Sequence, residues 1–519
     1  MRKIASIILL VLWVASVRAQ AYWVDNDEPG KLEPLKGLEY QAETQLSGAH
    51  GKTPLWLNAN KHGLSSLERW NGYVRGGVIR PLQTDSVRRW GVGYGLDVAV
   101  PLHYTSHVVV QQAFAEMRWL HGVLSIGAKE YPMELKNNSL SSGSQTLGIN
   151  ARPVPQVRLA LGDYWTVPYT RGWLHMKGHV AYGRTTDEGW QHDFTARRSK
   201  YADGVLYHSK AGYLKLSNEE RFFPLSLEVG LEMAAQFGGT GYMEGPEGLI
   251  PVKSSGLLKS MCHALVPTGS DGNETTYQNV EGNHLGSWVM RVNYDADEWR
   301  LGIYADRFFE DHSAMLGMDY DGYGSGNQWQ EKKDRRYLVY DLKDIMLGAE
   351  LNIKYDRWIN DVVFEYLYSE YQSGPIYHDH NRTIPDHIGG NDNYYNHNSY
   401  PGWQHWGQVM GNPLYRSPIY NEDGRLYVHN NRMMAFHLGI DGRPMENFQY
   451  KVLATYQEGL GTYDDPYLKK HHNVSFLVEG RYSFPQDWTL KGGYAMDFGH
   501  ILGHNAGFQL TLSKRGILK

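Results

Sequence analysis

One cysteine, Cys262, is all that the 519 residues contain. With no partner in the chain it excludes a disulfide framework, and its distance from the N-terminus excludes lipidation at a leading cysteine. Long apolar runs are equally scarce. The only one, from Ile4 to about Val14, is shorter than the roughly 20 residues that a membrane-crossing helix needs, which excludes a bundle of membrane helices. A net charge of -5, with the two signs nearly balanced, argues against a nucleic-acid partner. The chain also has no internal repeat and no low-complexity linker, so solenoid and array architectures fall away.

That single apolar run has a clear meaning. Arg2 and Lys3 precede it and Val17, Arg18, Ala19 and Gln20 follow, the layout of a secretory signal peptide with cleavage expected after Ala19. Residues 20–38 form a short N-terminal segment, too small to be a domain. Residues 39–519 are then one exported unit.

Within that unit the dominant signal has period two. From Leu225 to Phe237 one face reads Leu225, Leu227, Val229, Leu231, Met233, Ala235 and Phe237, and the other Ser226, Glu228, Gly230, Glu232, Ala234 and Gln236. Only a strand separates these sets. The same alternation occupies Val92–Val100 and Leu174–Tyr182, and begins again near Leu347, Phe448, Val474, Trp488 and Phe508. Trp488 and Phe498 share a face ten residues apart. At roughly 3.3 Å per residue and a tilt of about 40°, they bracket roughly 25 Å, the height of an outer-membrane apolar band. The opposite faces carry Glu228, Glu232, Lys177, Lys354, Lys491 and Glu479. A dry sandwich core would have to pair every such charge, whereas a wet or plugged lumen accepts them.

These features predict an all-β fold, a single antiparallel transmembrane barrel of about 16–18 strands in the outer membrane of a Gram-negative bacterium. Glycine (57), tyrosine (37) and tryptophan (16) suit its strands and its interfacial girdles. Three stretches are too long for hairpin turns: Gly238–Gly286, Arg307–Lys343 and Gln372–Arg432. Long loops carry function. The first, which includes a short helical pattern near Leu257–His263, is expected to fold into the lumen as a plug, and the third to stand at the cell surface.

Four phrases carry a family resemblance: 143–157 (GSQTLGINARPVPQV), 282–288 (GNHLGSW), 365–375 (EYLYSEYQSGP) and 410–415 (MGNPLY). In their order they resemble the Wzi-type capsule assembly family in its Bacteroides-like branch, over much of the chain from about Tyr40. The resemblance implies a large outer-membrane barrel that binds capsular polysaccharide as a lectin does and helps the polymer stay at the surface, without catalysis. The enterobacterial branch has a periplasmic helical bundle ahead of its barrel, which does not transfer because too few residues precede Tyr40. The chain's last residues, Gly516-Ile-Leu-Lys, also differ from the terminal aromatic of many barrels.

Sugars are held by aromatic faces and by planar polar groups. Residues 391–406 (NDNYYNHNSYPGWQHW) supply both, and Tyr394, Tyr395, Tyr400, Trp403, His405 and Trp406 are the candidate polysaccharide contacts. The competing reading is that these rings pack the loop onto itself and the barrel rim. Glu228, Glu232, Lys177 and Lys491 are candidate lumen-lining groups, whose plainer role is to pair with one another. His378, Asp379 and His380, with His387 and Asp392, lack a third ligand at fixed spacing, so no metal is expected. Asp306, Glu310, Asp311, Asp319 and Asp321 are numerous without being a defined pair. Ser142-Gly-Ser and Gly322-Tyr-Gly-Ser-Gly depart from the nucleophile elbow. No catalytic residue and no cofactor follow. The expected partners are capsular or surface polysaccharide, outer-membrane lipid and, during biogenesis, the barrel assembly machinery. The rival readings are a porin or sugar-selective channel with an open lumen, and a soluble exported β-sandwich enzyme.

Overall fold

The computed structural model describes residues 35–518 except 87–88, 247, 254–256, 266–281, 311–314, 316–317, 320–321, 324–326, 328–329, 334–335, 338–343 and 378–387. The expected signal peptide lies outside the described residues. Eighteen strands form one sheet. They are β1 (Leu38–His50), β2 (Trp70–Arg80), β3 (Trp90–Leu102), β4 (Val109–Trp119), β5 (Gly122–Ala128) and β6 (Gln156–Thr166). Then come β7 (Leu174–Arg184), β8 (Leu206–Leu216), β9 (Leu225–Phe237), β10 (Asn283–Asp295), β11 (Trp299–Glu310) and β12 (Ile345–Ile353). The last six are β13 (Asp361–Tyr368), β14 (Met433–Met445), β15 (Phe448–Gly461), β16 (Pro466–Ser483), β17 (Trp488–Gly499) and β18 (Asn505–Leu518).

Each strand pairs antiparallel with its neighbours in sequence, and β1 pairs with β18 from Leu38↔Leu518 to His50↔Ala506. The sheet is therefore a closed barrel with no free edge, the one β arrangement whose backbone groups are all satisfied in lipid. Every segment expected from period two is a barrel strand, and the count falls at the upper end of the expected range.

The pleat sorts the side chains. On β3, Leu96, Val100 and Leu102 face outward and are exposed, while Asp97 and Ala99 are buried on the inner side. On β17, Trp488, Tyr494 and Phe498 stand outward and Ala495 and Asp497 inward. Aromatic pairs mark the rims of the apolar band: Trp90 lies 6.0 Å from Trp119 and Tyr294 5.4 Å from Trp299 at one end, and Trp70 lies 6.2 Å from Phe508 at the other. The first end carries the short connections, such as Leu120-His121 and Pro485–Asp487, and the starts of β1 and the end of β18. Short turns face the periplasm in such barrels, so this is the periplasmic end.

The loop after β9 departs from expectation. Its first part pairs Thr240–Gly245 with Gly248–Lys253 and with Tyr201–Asp203 in a small sheet. Its helix, α1 (Leu257–Leu265), lies against the outside of the wall rather than in the lumen. Met261 and Ala264 pack on the outward residues Tyr182, Leu206, Ala235 and Phe237, and Tyr182 Oη donates to Met261 O at 2.8 Å. Ala235 and Phe237 continue the apolar outward face of β9, and an amphipathic helix covers them more cheaply than water does, while Met233 packs on Phe309 instead. The described part of this loop is not the plug.

Replacing Leu96, midway along β3 on the lipid face, by Arg is expected to lower folding stability by about 2–4 kcal/mol, and Leu102→Arg near the outer rim by less than about 1 kcal/mol. Folding titrations into lipid vesicles would measure both; equal costs would displace the apolar band from where the aromatic rims put it.

Candidate functional site

The inward faces of the strands hold acids that a lone barrel would leave unpaired, and residues 129–155, the connection between β5 and β6, meet them. Lys129 Nζ is 2.7 Å from Glu116 Oε2 on β4. Lys136 pairs with Asp306 on β11, both almost fully buried. Asn137 Nδ2 donates to Glu350 on β12 at 3.0 Å. The Glu365 carboxylate on β13 accepts from Ser141 Oγ at 2.5 Å, Ser142 N at 2.8 Å and Tyr304 Oη at 2.5 Å. Ser144 Oγ reaches Glu232 at 3.3 Å, and Gln145 Nε2 donates to Asp306 O at 2.8 Å. An irregular backbone can lie inside a barrel only where its polar groups find partners, and the wall acids supply them.

Two further connections fold inward beside it. Residues 51–69 bring a one-turn helix, α2 (Leu55–Asn58), against β15 and β17. There Leu55 N donates to Asp497 at 3.1 Å, and Trp56 Nε1 donates to Thr455 Oγ1 at 3.1 Å. Residues 392–432 close the outer end. Between them sits an apolar core: Leu55, Trp56, Leu140, Tyr394, Tyr395, Trp403, Met410 and Tyr415 pack on the inward residues Leu285, Phe308, Met346, Leu367 and Met433 of the wall. The expectation that 372–432 stands at the cell surface is corrected for residues 392–432, which descend into the lumen, whereas Ser373–Tyr377 and Ile388–Asn391 pair in a small separate sheet with Met318–Asp319. The legible signal was that inward positions near the outer strand ends turn apolar, so both faces are hydrophobic there.

Two of the four phrases that carried the family resemblance, 143–157 and 410–415, meet in this plug, and the other two lie largely on wall strands, Asn283–Trp288 on β10 and Glu365–Tyr368 on β13. Asn412 Nδ2 donates to Gly143 O at 2.9 Å, Gly148 N to Met410 O at 3.1 Å, and Tyr415 Oη to Gln145 Oε1 at 3.0 Å. Tyr395 Oη donates to Gln145 O. A Cβ on Gly148 would stand 2.6 Å from Gly411 O, so only glycine permits this approach.

All six expected contact residues are buried: Tyr395 and Trp403 completely, and Tyr394, Tyr400, His405 and Trp406 nearly so. Their visible bonds are to the fold itself. Tyr394 Oη donates to Asp344 at 3.2 Å and Tyr400 Oη to Gly238 O at 2.9 Å, while the Arg152 guanidinium covers the Trp406 ring at 4.3 Å. Tyr395, Trp403 and Trp406 hold left-handed backbone at φ 67°, 40° and 57°, a conformation of order 1–3 kcal/mol for bulky residues that only tight packing sustains. The six do not form one surface. Tyr400, His405 and Trp406 line a narrow crevice at the outer end, and Tyr394, Tyr395 and Trp403 lie in the core beneath.

The candidate lumen charges are engaged as well. Glu228 accepts from Tyr164 Oη at 2.7 Å, and Glu232 from Tyr213 Oη at 2.8 Å. Lys177 is 2.5 Å from Glu134, and Lys491 is 3.7 Å from Glu479. Lys354 sits in the periplasmic turn on Asp295. Below the plug a cavity of about 740 Å³ is lined by Ser139, Asp441, Lys451, Glu479, Arg481 and Lys491 and by the periplasmic turns around Tyr355 and Arg443.

Of the other candidates, His378, Asp379, His380, His387, Asp311 and Asp321 lie outside the described residues. Among the described residues no group of three His, Cys, Asp or Glu side chains is placed to hold a metal ion. Ser142 is buried in the plug with its N–H on Glu365, and Asp306 is held by Lys136.

His405 clamps three connections together. Its Nδ1–H donates to Arg152 O at 2.9 Å and its Nε2 accepts from Thr186 N at 3.0 Å. Burial, with the nearby Arg152 charge, pushes its pKa down to about 4. His397 is pushed down to about 4 by burial, aided by Lys200.

No family model and no curated protein matches the chain. Among solved structures it is similar to Wzi of Escherichia coli, described as an outer-membrane protein involved in group 1 capsule assembly and a carbohydrate-binding β-barrel. The TM-score is 0.53 at 10% identity, over 91% of this chain and 83% of that one. It is also matched to OccK5 (OpdH) of Pseudomonas aeruginosa, with a TM-score of 0.43 at 9% identity over 93% and 98% of the two chains. A loop L8 deletion mutant of OmpT of Vibrio cholerae gives 0.36 at 7% over 92% and 98%. The likeness to Wzi is one of fold: the chain is an outer-membrane-type β-barrel.

Lys136→Met removes the partner of a fully buried Asp306 and is expected to destabilise the plug by about 3–5 kcal/mol, read as lost amide-exchange protection over 136–150. For His405 the folded pKa lies below the unfolded one. Its contribution is complete above about pH 6.5 and is lost as the pH falls towards 4. Protection of residues 403–410 should decline across that window in the wild type and less in His405→Gln; identical profiles would remove His405 from the pH response.

Proposed function

We propose that this protein is an outer-membrane lectin that holds capsular or surface polysaccharide at the cell surface and assists capsule assembly or attachment. The observation that carries the reading is the filled outer half of the lumen. Three connections are fixed there by buried acids and an apolar core, so the outer end is a built surface rather than a pore mouth. The fold likeness to a carbohydrate-binding barrel agrees with it. The polysaccharide-facing part of residues 391–406 is the crevice side of Tyr400, His405 and Trp406, with Tyr394, Tyr395 and Trp403 holding it from beneath. Contacts repeated along a polymer then add, so that individually weak sites suffice.

On this reading the chain enters by its signal peptide, is folded by the barrel assembly machinery and rests in outer-membrane lipid against its apolar band. It performs no catalysis. A second reading, a sugar-selective channel, has one observation in its favour: the cavity of about 740 Å³ reaches in from the periplasmic end. Gating would then require the plug to move.

Purified, detergent-folded protein is expected to bind the producing bacterium's isolated capsular polysaccharide saturably while passing little current in planar bilayers. A Glu365→Gln, Asp306→Asn double variant, which loosens the plug, should raise conductance several-fold. Large steady current from the wild type with no polymer binding would make the protein a channel.

A further inference from the structure

The crevice at the outer end is where two connections and one strand top meet. Thr185, Asp187 and Gln191 come from the connection after β7, Gln236 from the end of β9, and Tyr400 and Trp406 from the inward-folded 392–432. Most polar atoms here are engaged inside the fold. Gln191 Oε1 accepts from Ala202 N at 3.2 Å, Gln404 Oε1 accepts from Gly407 N at 2.7 Å, and both ring nitrogens of His405 are bonded. Two atoms differ. Gln236 Oε1, on a side chain only 4% exposed, and Asp187 Oδ2 are sealed from bulk solvent and have no hydrogen-bond partner among the described residues. Buried polar atoms are almost always paired in native folds, so two such atoms on one crevice mark a missing donor.

We propose that the crevice is a subsite for a neutral sugar residue of the bound polysaccharide, which inserts one exocyclic hydroxyl between Asp187 and Gln236. This rests on the lectin reading and adds the ligand class to it. Both open atoms are acceptors, so the ligand must donate. The crevice has room for the centre of about one water-sized group (about 10 Å³), which suits a hydroxyl better than an acetamido group or a carboxylate. The lining itself has no lysine or arginine, the nearest cation being Arg152 on the Trp406 ring, and a uronate at this point would face the Asp187 carboxylate directly. The Tyr400 and Trp406 rings give the apolar wall against which the sugar's C–H bonds rest. Sites of this kind discriminate strongly, because a ligand lacking the donor leaves buried acceptors unpaired.

The test compares the producing bacterium's isolated surface polysaccharide, native and after selective oxidation of its primary hydroxyls to carboxylates, by calorimetric titration against the detergent-folded protein. The wild type should bind the oxidised polymer at least tenfold more weakly than the native one. Asp187→Asn and Gln236→Leu should each weaken native-polymer binding about five- to tenfold and shrink the difference between the two polymers, with heat-dependent gel mobility confirming a folded barrel. Equal wild-type affinity for both polymers, or wild-type affinity in both variants, would show a crevice that holds one water and overturn the subsite while leaving the lectin reading standing. Failure of the wild type to bind the native polymer at all would overturn the lectin reading and the subsite with it.

Discussion

Acids on the inner wall decide what this barrel is. A closed sheet of eighteen strands encloses a lumen by geometry, and whether that lumen is a channel or a core depends on what its inward groups bind. Asp306, Glu350, Glu365, Glu232 and Glu116 each take a donor from residues 129–155. Buried carboxylates without partners would be costly, and so would the buried N–H groups of an irregular segment. Each satisfies the other. Once 129–155 is held, its outer side offers carbonyls and a cleft for 392–432, and the apolar rings of that connection complete the core.

The same constraint explains why so many aromatics of residues 391–406 are hidden. A connection that enters a barrel must fill volume at interior packing density, and large rings do this with few residues. Tyr395, Trp403 and Trp406 accept left-handed backbone to do so. The crevice proposed to take polysaccharide is then a by-product of the plug, formed where its edge meets the top of β9 and the connection after β7. His405 joins those parts through Arg152 and Thr186, which makes the outer face one body rather than a set of independent loops.

The plugged outer half and the open periplasmic cavity also give the molecule a direction. Polar residues such as Lys451, Glu479 and Lys491 stay wet and mutually paired below, and the dry core lies above. A surface lectin needs a rigid outer face and no particular opening. A channel needs the reverse, so the staples between wall and plug are where the two readings separate physically.

Much was legible in the chain itself. The alternation on Leu225–Phe237 and Trp488–Phe498 is a property of the pleat, in which neighbouring residues point to opposite faces whatever lies further away, so strands, lipid face, band height and an enclosed polar interior follow from local pattern. The destination of each connection was not legible. Residues 238–286 and 372–432 are both long and lack a strand period, yet α1 of the first lies on the outer wall and residues 392–432 of the second enter the lumen. Those outcomes depend on partners far away in sequence, Ser142 with Glu365 across 223 residues and Asn412 with Gly143 across 269. No local period encodes such pairs, because they exist only once closure of the barrel brings inward faces from distant strands around one volume. The sequence by itself determined a barrel with a polar interior; only the tertiary structure decided that its own connections would fill it.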